Sequence, residues 1–158
     1  MKREAYEEAY REINAIWGDE GGDTLDDIAL MATINSVLAN RFDYYLWTGF
    51  YRVCGTRLVV GPYIGTLGCL QIEIGRGVCG TAAAKRETVI VPDVNQFPGH
   101  IACDAKSKSE IVVPVFGPDQ ELIAVLDVDS DRLDAFDEED RAGLEKILAL
   151  FQQRENRG

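Results

Sequence analysis

Basic residues are few in this chain: 16 Lys and Arg stand against 27 Asp and Glu, a formal net charge of −11 over 158 residues. Nucleic-acid phosphates and anionic lipid surfaces both call for basic patches, so neither nucleic acid nor membrane is expected as a partner. Histidine is scarcer still, with His100 alone, and no two cysteines stand in a CxxC pair. Zinc sites favour ligands in such close pairs, whereas Cys69, Cys79 and Cys103 are 10 and 24 residues apart, so no metal is expected. No apolar stretch approaches the roughly 20 residues of a membrane span. The N-terminal MKREAYEEAYREINAIW is charged and amphipathic, without the apolar core of a signal peptide. These absences point to a cytoplasmic address, where thiols are kept reduced. The four cysteines are therefore not expected to form a structural disulfide framework. There is no repeat, low-complexity tract or dividing linker, and the length suits one domain over residues 1–158.

What is present begins with a helical period. Tyr6, Tyr10, Ile13 and Trp17 share one face of a helix over 3–17. Thr24, with Asp27 three residues on, resembles a capping box opening a second helix through about Asn40. Its apolar stripe is read as Leu25, Ile28, Ala29, Ala32, Val37 and Leu38. From Tyr44 the pattern turns to strands. They are read at 44–53, at 57–65 with a bend at Gly61-Pro62, and at 70–74, 87–91, 110–116 and 121–129. A short helix is expected over 78–86, a long loop over 92–109, and a last helix from near Asp137 to about Gln153. The first turn of that helix is loaded with acidic residues, as the helix dipole favours. N-terminal helices (about 3–41), a sheet with a short helix and loops (about 44–130) and a C-terminal helix (about 137–153) make an α+β fold. Its antiparallel sheet is covered by the terminal helices.

Candidate chemistry clusters in the glycine-rich middle. Buried free cysteine is common as a small hydrophobe, which suits Cys54 at a strand end. Cys69, Cys79 and Cys103 lie beside a glycine or inside the long loop, and redox-active thiols are as consistent with that setting as packing is. Cys79 stands at the start of the short helix, where the dipole favours thiolate. Cys103 has His100, Asp104, Lys106 and Lys108 nearby, a polar and partly positive setting. His100 itself reads as a residue that tethers the loop. Asp127 and Asp129 are two apart on a strand and point to one face, with Leu126 and Val128 on the other. Such a pair binds a cation, shares a proton or meets water, and Glu110 on the preceding strand could lie near it. Trp47, Phe50 and Tyr51 are core aromatics first, although Trp47 and Tyr51 need hydrogen-bond partners and suit a pocket wall. GRGVCG (75–80) lacks the GxxxxGK[ST] phosphate pattern. Thiols beside carboxylates suggest a thiol-dependent reductase acting on a small polar molecule.

Taken together, WTGFY, the GPY turn, CLQIEIGRGVCGTA, PDVNQFPGHIACDAKSKSEIVVPVF and VLDVDS closely resemble the free methionine-(R)-sulfoxide reductases, small GAF-domain enzymes. The resemblance covers nearly the whole chain. It implies a GAF-like fold, with helices packed on one side of the sheet and a loop-covered ligand pocket on the other. It also implies reduction of the free R epimer of methionine sulfoxide. Cys103 would be the attacking thiol, Cys69 the resolving thiol, and Cys79 a third with a less settled role. Glu110, Asp127 and Asp129 match the family's acidic substrate contacts, with Asp129 taken as the proton donor. Trp47 matches the wall that receives the substrate's methyl end, with Tyr51 beside it. Cys54 is additional to the family's three cysteines. No bound cofactor is implied: thioredoxin is the external reductant, and NADPH enters only through thioredoxin reductase. A homodimer with contacts through the terminal helices is a further expectation. The rival expectation is a non-catalytic GAF module that binds a small molecule or senses redox state.

Overall fold

The aromatic face of the first helix forms as its spacing predicts. In the computed structural model, which describes residues 1–20, 25–101 and 105–157, α1 spans Lys2–Glu20. It buries Tyr6, Ala9, Ile13 and Trp17, with Tyr10 at the margin. Helix α2 spans Asp27–Arg41, and its N-cap is Asp26, whose carboxylate accepts from the Ala29 amide at 3.1 Å. Thr24, expected to cap it, lies outside the described residues. The expected stripe on α2 is buried only in part, with Leu38 in the core and Leu25, Ala29 and Val37 at its margin. Leu30, Met31, Ile34 and Leu38 are buried, while Ile28 and Ala32 face solvent. Two stripes at helical spacing run side by side on this helix, and the sheet takes the one with the bulkier side chains, which removes more apolar area from water.

Six strands follow: β1 (Trp47–Cys54), β2 (Arg57–Ile64), β3 (Gln71–Glu73), β4 (Val89–Val91), β5 (Ser109–Phe116) and β6 (Leu122–Ser130). Helix α3 (Gly77–Lys85) lies between β3 and β4, and α4 (Glu138–Leu148) follows β6. Beyond Leu148 the chain winds more tightly, as a 3-10 helix over Ala149–Arg157, where one regular helix to about Gln153 was expected. All pairings are antiparallel, in the order β3-β2-β1-β6-β5-β4. The register slips between Gly49 and Tyr51 opposite Gly61-Pro62, where the sequence places a bend and where Pro62 has no amide to donate.

The pleat separates two clusters. Phe50, Ile111, Val113, Val115, Ala124, Leu126 and Val128 face α1, α2 and α4. Tyr51, Val112 and Val125 face the other way, toward α3. Around Asp140, at the start of α4, the terminal helices are tied together. Its carboxylate accepts from Tyr6 Oη at 2.6 Å and from Lys2 Nζ at 2.7 Å, and it completes a capping box with Asp137. The helix side of the sheet is thereby locked. The other side is free to carry chemistry.

Candidate active site

Register alone assembles the polar centre. Trp47 on β1 pairs with Asp129 on β6, which pairs with Glu110 on β5. One rung along, Gly49 pairs with Asp127 and Asp127 with Val112. Direct cross-strand partners share a face, so one aromatic ring and three carboxyl groups converge on the side away from α1, α2 and α4. Helix α3 lies over this face and brings down Cys79. Its sulfur and one carboxyl oxygen each of Glu110 and Asp127 all lie within 4.8 Å of one another. Trp47, Tyr51, Cys79, Glu110, Asp127 and Asp129 line a single pocket.

The loop between β2 and β3 closes over the aromatic wall because three glycines let it. Trp47 stacks on Tyr51 and Tyr63 at centroid separations of 5.8 and 5.0 Å, and its indole Nε1 donates to the Thr66 carbonyl at 2.8 Å. A Cβ on Gly49, Gly65 or Gly68 would fall 2.7, 2.5 or 2.8 Å from a Trp47 ring carbon. Gly65 also has φ +139°, a backbone conformation closed to most side chains. Gly65→Ala should therefore unseat the indole and cost about 1–3 kcal/mol. A lowered thermal midpoint with red-shifted tryptophan fluorescence is the expected result, and an unchanged melt and spectrum would contradict it. The Tyr51 hydroxyl accepts from the Cys69 backbone, so the same wall fixes the loop that carries this cysteine.

The electrostatics favour neutral groups. Burial pushes Glu110 well above the ordinary carboxyl value, and the charges of Asp127 and Asp129 push it further. Burial raises Asp127 as well, while hydrogen bonds from Glu110 and Cys79 pull it back down. Asp127 Oδ1 is fully buried and has no hydrogen-bond partner among the described residues. Asp129 is half-buried, and its Oδ1 accepts from Ser107 Oγ at 3.1 Å. Burial lowers His100, the Asp127 charge opposes this, and Nε2 stands 3.8 Å from Glu110 Oε1.

Two cysteine expectations are overturned. Cys79 is no thiolate. Burial first, then the charges of Asp127, Glu110 and Asp129, raise its thiol well above the ordinary value, and it hydrogen-bonds Asp127. One helix terminus does not offset lost solvent plus three acidic neighbours. Cys54 is no packing residue either. It is exposed at the end of β1, where the strand has already left the sheet's covered area.

A family model described as GAF domain matches residues 41–153. The free methionine-R-sulfoxide reductase of Escherichia coli is 40% identical over 96% of this chain and 89% of its own length. The chain belongs to the free methionine-R-sulfoxide reductases, a GAF-domain family. The structure of the Neisseria meningitidis free methionine-R-sulfoxide reductase, solved in complex with its substrate, is 41% identical, with a TM-score of 0.90 over 98% of this chain and 90% of that one. GAF domain-containing protein A of Dictyostelium discoideum is 45% identical over 95% of this chain and 92% of its own length.

Measured against that family, the pocket brings together six of the eight residues singled out in the sequence. Cys69, the seventh, is half-buried on the covering loop and is disulfide-bonded, while Cys54 and Cys79 are free thiols. Cys103, the eighth, lies outside the described residues. Ser107, Arg76, Ile101 and Leu67 also line the pocket and were not anticipated. They sit in irregular segments or at a helix start, where no period assigns a side chain to a face. His100 was read as a tether, yet it too lines the pocket, facing Glu110.

Proposed function

We propose that this chain reduces free methionine (R)-sulfoxide to methionine. The observation that carries this reading is the pocket's division into an aromatic wall and an acidic floor. The wall suits a thioether chain and the floor an ammonium group. The opening of α3 supplies the remaining contact. Arg76 at its N-cap and Gly77 and Val78 in its first turn line the same pocket, and the orphan amides of a helix start suit a carboxylate. Asp127, with its unpartnered Oδ1, and Asp129 would hold the ammonium. Trp47 and Tyr51 would hold the sulfur end.

Catalysis then proceeds by thiol chemistry. The Cys103 thiolate attacks the sulfoxide sulfur, whose oxygen takes up one proton; the new S–S bond then breaks as that oxygen passes to the Cys103 sulfur, releasing methionine and leaving a sulfenic acid. The Cys69 thiol displaces that hydroxyl as water, closing a disulfide. An external dithiol protein, thioredoxin, returns both sulfurs to thiols and becomes a disulfide itself. The bonded state of Cys69 supports its part in this cycle. For the proton, burial supports Glu110 over the half-buried Asp129, because Glu110 is 5% exposed and burial holds its proton well above the ordinary range. Cys79 fits a supporting part, holding Asp127 through a neutral thiol.

Thioredoxin-coupled NADPH consumption tests the reading against the non-catalytic GAF module. Consumption is expected with free methionine (R)-sulfoxide, and little with the S epimer or with oxidised methionine inside a peptide. Binding without consumption would make the chain a sensor.

A further inference from the structure

We infer that the Cys79–Glu110–Asp127 cluster is a binding site for a borderline-soft divalent cation, Zn²⁺ above all. Separation along the chain argued against zinc, since the cysteines fall in no close pair. The fold supplies what the spacing lacks: a thiol and two carboxyls from three different elements, each buried, with donor atoms within 4.8 Å of one another. Donors on one tetrahedral Zn²⁺ lie about 3.3–3.8 Å apart, so side-chain shifts of about 1 Å or little more bring the three to that spacing. The trio offers an S, O, O set and leaves the fourth position of a tetrahedral zinc to water, while His100, whose Nε2 stands 3.8 Å from Glu110 Oε1, borders the cluster without belonging to it.

A second observation points to a ligand independently of the cluster's composition. Asp127 is 6% exposed, and its Oδ1 is buried without a hydrogen-bond partner among the described residues. A buried carboxylate oxygen in that state is costly unless something positive meets it. A dication bound there exchanges the thiol proton of Cys79 for a metal–sulfur bond, the proton passing to solvent. The cation and an amino-acid ammonium would compete for the same Asp127 oxygen, so zinc would act as a reversible block. That consequence rests on the functional reading above, whereas the binding does not.

The experiment uses the full chain with its disulfide closed and Cys54→Ser in place, titrated with Co²⁺ and then Zn²⁺ in the absence of substrate. We expect a near-ultraviolet thiolate-to-cobalt band that saturates below about 1 mM metal and is erased by Zn²⁺. The band should vanish in Cys79→Ser, and affinity should fall at least about tenfold in Asp127→Asn, with far-ultraviolet circular dichroism unchanged. Absence of the band in the parent, or its survival in Cys79→Ser, would overturn the inference. Wild-type affinity in the well-folded Asp127→Asn protein would do the same. Because no turnover is read, a protein inert toward methionine sulfoxide that still shows the band would overturn the functional reading alone.

Discussion

Cys103→Ser will leave no measurable multiple turnover on free methionine (R)-sulfoxide, and Cys69→Ser will leave a single one. Serine is isosteric with cysteine but, at neutral pH, is neither a comparable nucleophile toward sulfur nor able to form a sulfenic acid. In Cys69→Ser the attacking thiol remains, so one equivalent of methionine should form per protein before the cycle stalls. Amino-acid analysis after rapid mixing checks that stoichiometry, and trapping the accumulated sulfenic acid with dimedone identifies the residue that holds it. Two equivalents or steady turnover from Cys69→Ser would mean that another thiol resolves the intermediate. Cys79 is badly placed for that. Its thiol is buried, held neutral and hydrogen-bonded to Asp127. Full turnover by Cys103→Ser would remove the assigned nucleophile altogether.

Glu110→Gln should lower kcat/KM by about 10²–10⁴ and flatten the alkaline limb of its pH profile. The sign follows from the direction of the shift. Burial and two acidic neighbours raise Glu110 well above its ordinary 4.5, so the protonated form persists to higher pH than in a free carboxyl group. Activity that needs this proton falls as pH rises through the raised value. Glutamine, which does not titrate, has no such limb. Stability moves the same way. The folded protein binds more protons at this site than the unfolded chain once pH exceeds the ordinary carboxyl value. The site's contribution is therefore complete below that value and lost as pH rises through the raised one. Glu110→Gln removes that loss, so its thermal midpoint should gain on the parent progressively toward alkaline pH. A variant that loses activity but shows the same pH dependence of melting as the parent would break the link between the buried proton and the reaction.

Sequence alone determined the α+β class and the order of its elements, because periods of 3.6 and 2 survive in any chain that must bury one face of each helix and strand. It also determined that Asp127 and Asp129 share a side and that Leu126 and Val128 back the helices, since alternation along a strand is local. Which stripe of α2 turns inward was not local. Leu30, Met31 and Ile34 prevail over Ile28 and Ala32 only because the sheet lies against them. The placing of Glu110 beside Asp129, of Cys79 over Asp127, and of Trp47 in its glycine seat was decided by strand register and by how α3 and the β2–β3 loop close over it. The charge states followed from that closure. A thiol at a helix start and a carboxyl on a strand read as ionisable until burial and neighbours of like sign, gathered from distant parts of the chain, keep both neutral.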